Sequence, residues 1–140
     1  MQRKASAVWK GGLRDGKGTI SAPGGALNNT QYSFTSRFEN GTGTNPEELV
    51  AAAHAACFSM ALSVQLGEAK LTPESISTNV TLTFEKLDTG WTITESHLDV
   101  VGKVPGADAA TFQKCAEGAE KGCPVSKVLN AKITMTAKLE

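Results

Sequence analysis

Period-two alternation marks the C-terminal end of the chain. Between Ala131 and Leu139, Ile133, Met135, Ala137 and Leu139 alternate with Lys132, Thr134, Thr136 and Lys138, the pattern of a strand with one buried face. A second alternating stretch places Val80, Leu82 and Phe84 between threonines, followed by the turn Asp88-Thr89-Gly90 and a return strand opened by Trp91 and Ile93. Ile76 to Val104 thus reads as two strands, and the shift of apolar phase at Leu98 predicts a bulge or break near Ser96. Near the N-terminus, Lys17-Gly18-Thr19-Ile20-Ser21, the turn Pro23-Gly24-Gly25 and the alternating run Tyr32 to Phe38 predict a short antiparallel meander. Arg37 falls at its end, before the loop Asn40-Gly41-Thr42-Gly43.

Helical spacing governs two other segments. Asn45 suits an N-cap, Pro46 the first helical position, and Glu48 completes a capping-box pattern. The helix runs to about Leu66 and is apolar nearly all round, which predicts burial on several sides. A second helix from Asp108 to Lys121 carries Phe112, Cys115, Ala116 and Ala119 on one face, with Gly122 expected as its left-handed end. Cys123-Pro124 then restarts the chain in a short helix through Leu129. Strands, long helix, two strands, helix and strand make the class α+β with an antiparallel sheet.

A length of 140 residues fits a single domain, 1–140, with a real core. Fourteen lysines and arginines balance 14 acids, which leaves no electrostatic case for nucleic acid or an anionic membrane as partner. Leu49 to Gly67 carries no formal charge and approaches the roughly 20 residues of a membrane span. Its alanines, with His54, Ser59, Ser63 and Gln65, read instead as a buried helix. The segment Met1 to Ser6 lacks a signal-peptide apolar run, so the expected compartment is the cytoplasm, where thiols stay reduced.

The chemistry then rests on three cysteines. Cys57 in an alanine-rich helix reads first as packing, because a thiol with pKa of about 8.5 needs a nearby cation or donor to ionise. Cys123, just before a proline at a helix start, is equally consistent with a stabilised thiolate and an ordinary small N-cap. Cys115 lies eight residues before Cys123, roughly 12 Å along a helix, whereas a disulfide needs Cα atoms within about 7 Å. Pairing of Cys57 with either Cys123 or Cys115 stays open, and the face shared by Cys115 with Phe112 and Ala119 points to the core. No Cys-x-x-Cys or paired histidine suggests a metal, and His54 reads as a hydrogen-bonded core residue. Arg37 alone reads as a surface residue, and Glu47 and Glu48 as acids complementing a helix dipole. Glu47 precedes Cys57 by ten residues, roughly 15 Å of helix, so any acid serving that thiol acts through a bridge or from a second subunit.

Two motifs in order, Thr44-Asn45-Pro46-Glu47-Glu48-Leu49 with Ala53-His54-Ala55-Ala56-Cys57-Phe58-Ser59-Met60-Ala61, and Gly122-Cys123-Pro124-Val125-Ser126, resemble the signature of the osmotically inducible protein C (OsmC) family. Gly16-Lys17-Gly18-Thr19 and Val104-Pro105-Gly106 fit as well. The resemblance implies an OsmC-like fold with a long buried central helix, in an intertwined homodimer with shared active sites. It implies a cysteine-dependent peroxidase of stress defence that favours organic hydroperoxides over hydrogen peroxide. By position, Cys57 matches the peroxidatic and Cys123 the resolving cysteine, joined in a disulfide during turnover. Arg37 matches the arginine that stabilises the thiolate, and Glu47 the acid that orients it. The organic hydroperoxide resistance branch draws its arginine from nearer the N-terminus, which makes Arg14 the competitor. A dithiol, such as a lipoyl-bearing protein, is the implied reductant, with no cofactor or metal. Phe58 and Met60 are candidates for an apolar wall beside Cys57. The competing reading is a non-catalytic protein that binds a small hydrophobic ligand or is purely structural.

Overall fold

The computed structural model describes all residues 1–140, in two compact units, Met1–Leu49 and Val50–Glu140.

In the first unit, β1 (Ser6–Lys10), β2 (Lys17–Ser21) and β3 (Thr30–Tyr32) form an antiparallel sheet in that order. Gly18 lies under the rings of Tyr32 and Trp9, and a Cβ there would collide with both; its absence lets the two rings meet at a centroid distance of 5.4 Å. The predicted strand does not continue to Phe38. It stops at Tyr32, and Phe34–Phe38 forms a short helix, α1. Ser33 decides this: its side chain accepts from the Ser36 N–H at 3.2 Å, and Ser36 Oγ accepts from the Ser33 N–H at 2.8 Å. Such reciprocal capping satisfies amide donors that a strand would spend on a neighbour.

Helix α2 spans Pro46–Glu68. Asn45 caps it as expected, with Oδ1 accepting from the Glu48 N–H at 2.7 Å, but the box is not closed by Glu48. Its carboxylate instead accepts from the Thr44 hydroxyl at 3.3 Å. By length and composition α2 could cross a membrane. Burial on several sides is not what the chain shows, however: His54, Phe58, Leu62 and Leu66 form one buried stripe, whereas Met60 is 73% and Val64 58% exposed.

In the second unit, β4 (Ser75–Leu87) and β5 (Gly90–Lys103) pair antiparallel, with a register slip at Thr83/Phe84 that leaves Thr94 unpaired, two residues from the expected break. Strand β6 (Lys132–Leu139) joins β5 in parallel, so the sheet is mixed rather than wholly antiparallel. The reason is the helical crossover between them, α3 (Ala109–Gly122) and α4 (Pro124–Val128), which carries the chain back toward the end at which β5 begins. Gly122 keeps a negative φ and remains helical, so it is not the left-handed stop. The break is at Cys123, with φ −61° and ψ 121°, because the residue before a proline is driven out of the α region. The α2 stripe, Leu98 and Val100 of β5, and Phe112, Ala116 and Ala119 of α3 share one core.

Candidate functional site

Cys57 precedes Phe58 of the buried stripe and is itself half-buried, while Cys123 is wholly buried at the α3–α4 break. The two sulfurs are hydrogen-bonded at 3.0 Å. Cys123 belongs to both helices: its N–H donates to the Ala119 carbonyl at 2.8 Å, and its carbonyl accepts from the Lys127 N–H at 3.1 Å. The extended backbone between them turns the thiol into the core beside α2.

The surroundings divide the two thiols. Burial pushes Cys123 upward, but the Cys57 thiol, the Ser126 amide and hydroxyl, and the Val125 amide together outweigh it and hold this thiol below its ordinary value. Burial and then the Cys123 contact push Cys57 up, against a smaller pull from the Val125 amide. Within one chain, then, ionisation is favoured at Cys123 over Cys57. Every group shifting Cys57 is a thiol or a neutral amide.

The third cysteine stands apart from this exchange. Cys115 is buried in the core, its Sγ donates to the Gln65 carbonyl at 3.6 Å, and burial raises its pKa. Of the two pairings that spacing left open for Cys57, the chain brings together the one with Cys123.

A second pair forms in the first unit. Arg37 Nε reaches both carboxylate oxygens of Glu47 at 3.2 Å, and Nη2 reaches Oε1 at 2.8 Å. Capping by Ser33 sets α1, and the Asn45 side-chain amide donates to the Ser36 carbonyl at 2.9 Å, which ties α1 to the start of α2 and presents Glu47 to Arg37. Glu47 is therefore distinguished from Glu48, which holds Thr44. The competing Arg14 lies over the Phe34 ring at 4.8 Å and lines an open groove of about 830 Å³ with Lys10, Lys17 and Tyr32. Phe58, expected beside the thiol as part of an apolar wall, is wholly buried in the core because it lies on the sheet-facing stripe; Met60 is exposed.

His54 is a hydrogen-bonded core residue, and its partners are ones the sequence did not single out. Nδ1 lies 2.7 Å from Ser96 Oγ and Nε2 2.8 Å from Ser126 Oγ, with all three residues buried. Burial lowers the histidine pKa, so the ring is neutral. The available signals were a serine on the core face of β5, where the apolar phase breaks, and a serine closing the Gly122–Ser126 motif. No cluster of three or more His, Cys, Asp or Glu side chains is arranged to hold a metal.

A mixed α/β unit that brings two thiols into contact at a helix break has the arrangement that a two-cysteine redox cycle needs. The sequence profile of OsmC-like proteins matches residues 39–138. Peroxiredoxin OsmC of Escherichia coli K12 is 50% identical over 140 residues, covering 100% of this chain and 98% of that protein. The organic hydroperoxide resistance protein of Xanthomonas axonopodis pv. citri is 33% identical over 100 residues, 71% of this chain and 68% of the relative. Among solved structures, the organic hydroperoxide resistance protein OhrB of Bacillus subtilis superposes with a TM-score of 0.66 at 26% identity, covering 98% of both chains. An OsmC-like protein of Mycoplasma pneumoniae superposes at 0.76 with 16% identity, covering 99% and 97%. The chain belongs to the OsmC-like family.

Proposed function

We propose that the protein is a thiol peroxidase that reduces organic hydroperoxides to alcohols in oxidative and osmotic stress defence. The observation that carries this reading is the 3.0 Å contact between Cys57 and Cys123 Sγ. It is supported by relatives named for peroxiredoxin activity and organic hydroperoxide resistance. The Cys57 thiolate attacks one peroxide oxygen; the O–O bond breaks, the alkoxide leaves as alcohol after taking a proton, and Cys57 becomes a sulfenic acid. Cys123 displaces hydroxide from that sulfur, closing the disulfide and releasing water. A dithiol then exchanges with the disulfide, is itself oxidised, and returns both cysteines to thiols. A lipoyl-bearing protein is the proposed donor, and the chemistry draws on no cofactor or metal.

A positive charge beside Cys57 would oppose the burial that disfavours its ionisation. In this reading the charge is Arg37, held by Glu47 and supplied by a second copy of the chain in a homodimer with shared active sites. The exposed side of α2, with Met60 and Val64, supports such an assembly and an apolar approach for the alkyl group. Residues 1–140 act as one domain, in line with a relative that aligns along the whole chain, and the site of action is the cytoplasm, without nucleic acid or membrane as partner.

One equivalent of cumene hydroperoxide, followed by mass-spectrometric disulfide mapping, tests this reading. A Cys57–Cys123 bond is expected; unchanged thiols at that dose would overturn the proposal.

A further inference from the structure

The two sulfurs of the pair differ in what can reach them. Cys123 is 0% exposed and belongs to the core cluster with Phe58, Leu98, Phe112 and Ala119. Its backbone is tied to both helices, through its N–H to the Ala119 carbonyl at 2.8 Å and through its carbonyl from the Lys127 N–H at 3.1 Å. Exposing this sulfur would mean opening the core around it. Cys57 packs against the same cluster from α2 and is only half-buried.

Oxidation changes this little. From the 3.0 Å contact, closing a disulfide brings the sulfurs nearer by about 1 Å, too short a shift to carry Cys123 out of the core. Thiol–disulfide exchange proceeds by attack of a thiolate on one of the two sulfurs, so access to each sulfur decides the course. The attacker arrives opposite the bond that breaks. At Cys123 that approach lies on the side away from Cys57, and a wholly buried residue leaves no path there. Cys57 is the sulfur that a hydroperoxide must already reach, and a reductant can use the same way in.

We propose that the dithiol reductant attacks the oxidised pair at Cys57 alone, which makes Cys57 the entry sulfur of both half-reactions and Cys123 the internal leaving group. The inference rests on the peroxidase reading for the turnover it serves. The reductant's thiolate bonds to Cys57 Sγ as the Cys57–Cys123 bond breaks, and the electron pair leaves with Cys123 as a thiolate. The reductant's second thiolate then displaces Cys57 from the mixed disulfide, closing the reductant's own disulfide. Two electrons pass to the cysteine pair, and the two protons given up by the dithiol balance the two cysteine thiolates. The contact between the sulfurs also explains why a dithiol suits this site. After the first step Cys123 lies beside the mixed disulfide and can reclose the bond, so the second thiol must be on the same molecule to compete.

The direction of the two pKa shifts agrees with this division, since Cys123 is lowered and Cys57 raised and the thiol of lower pKa leaves faster.

Mixed-disulfide mapping on the full chain tests it. The protein is oxidised with diamide, mixed with excess mercaptoethanol, quenched rapidly in acid and mapped by mass spectrometry. The adduct should lie on Cys57, at least about tenfold over Cys123, because access selects the sulfur attacked. An adduct on Cys123, or equal adducts on both, would overturn the proposal, as would a chain in which diamide closes no Cys57–Cys123 bond. Where adducts are too short-lived to map, labelling by dithiodipyridine decides. In the folded chain carrying Cys57→Ser and Cys115→Ser, Cys123 should react at least about a hundredfold more slowly than in urea, as a buried thiol does. Equal rates in the folded and unfolded chain would show that Cys123 is open to attack. Diamide needs no peroxide, so the two readings part. Unchanged thiols after cumene hydroperoxide would end the peroxidase reading, whereas the adduct position would still judge which sulfur a thiol attacks.

Discussion

Cys57, from the middle of α2, and Cys123, from the break between α3 and α4, face each other with their sulfurs 3.0 Å apart. Neither helix alone would give that contact. It depends on Pro124 forcing Cys123 into extended backbone and on the core that packs α2 against α3.

The two thiols should separate by role. Cys57→Ser is expected to abolish hydroperoxide reduction in a coupled dithiol-oxidation assay. Cys123→Ser should still consume one equivalent and stop at a sulfenic acid that dimedone traps. Cys115→Ser should keep turnover within about twofold, since this thiol lies in the core and its hydrogen bond goes to the Gln65 carbonyl rather than to either of the other cysteines. Full activity in Cys57→Ser would remove that thiol from the chemistry.

Loss of the guanidinium should affect Cys57 above all. Arg37→Met is expected to lower kcat/KM for cumene hydroperoxide by about a hundredfold, or roughly 2.7 kcal/mol of transition-state stabilisation. Glu47→Gln should cost less, because it leaves the charge and removes only its orientation. Mixing the impaired Arg37→Met chain with the inactive Cys57→Ser chain under subunit exchange should raise activity through heterodimers. Mixtures that stay inactive while heterodimers form would mean that arginine and thiol act within one chain.

Stability should depend on pH through His54. Its pKa in the folded protein lies below the ordinary 6.5, so between those two values the unfolded chain binds the extra proton. The stabilisation is present in full above pH 6.5 and is lost as pH falls from there toward the folded value. Urea midpoints measured from pH 8 to pH 5 should fall for the unaltered chain, and less for His54→Gln. Equal slopes would show that the histidine does not contribute.

Packing across β5 should be sensitive at a glycine. A Cβ on Gly102 would run into the ring of Phe112, itself 1% exposed, so Gly102→Ala should cost about 1–3 kcal/mol of unfolding free energy. Paired replacement with Phe112→Leu should recover part of that loss, as expected for neighbours sharing one space. An unchanged urea midpoint for Gly102→Ala would mean that the ring yields freely.

Much of this was legible along the chain. Alternation located β4, β5 and β6 because a strand with one buried face writes its period into the sequence. The Asn45-Pro46 start, the Asp108 start and the Cys123-Pro124 restart were readable because capping and proline geometry act within a few residues. From Tyr32 to Phe38 the alternation predicts strand where the chain forms a short helix, because alternation and a Ser33-capped turn share the same residues there. The parallel direction of β6 was not readable either, because alternation reports which face is buried and not which way the neighbour runs.

By itself, then, the sequence determined the element boundaries that local chemistry sets, the two motifs, and the separation of Cys115 from Cys123. The resemblance named Cys57 with Cys123 and Arg37 with Glu47, but only the tertiary structure brought each pair into contact and joined His54 to Ser96 and Ser126. Each of those is a contact between elements, fixed when buried groups choose partners of matching shape and hydrogen-bonding capacity. Local preference extends only a few residues, whereas His54 and Ser126 lie 72 positions apart.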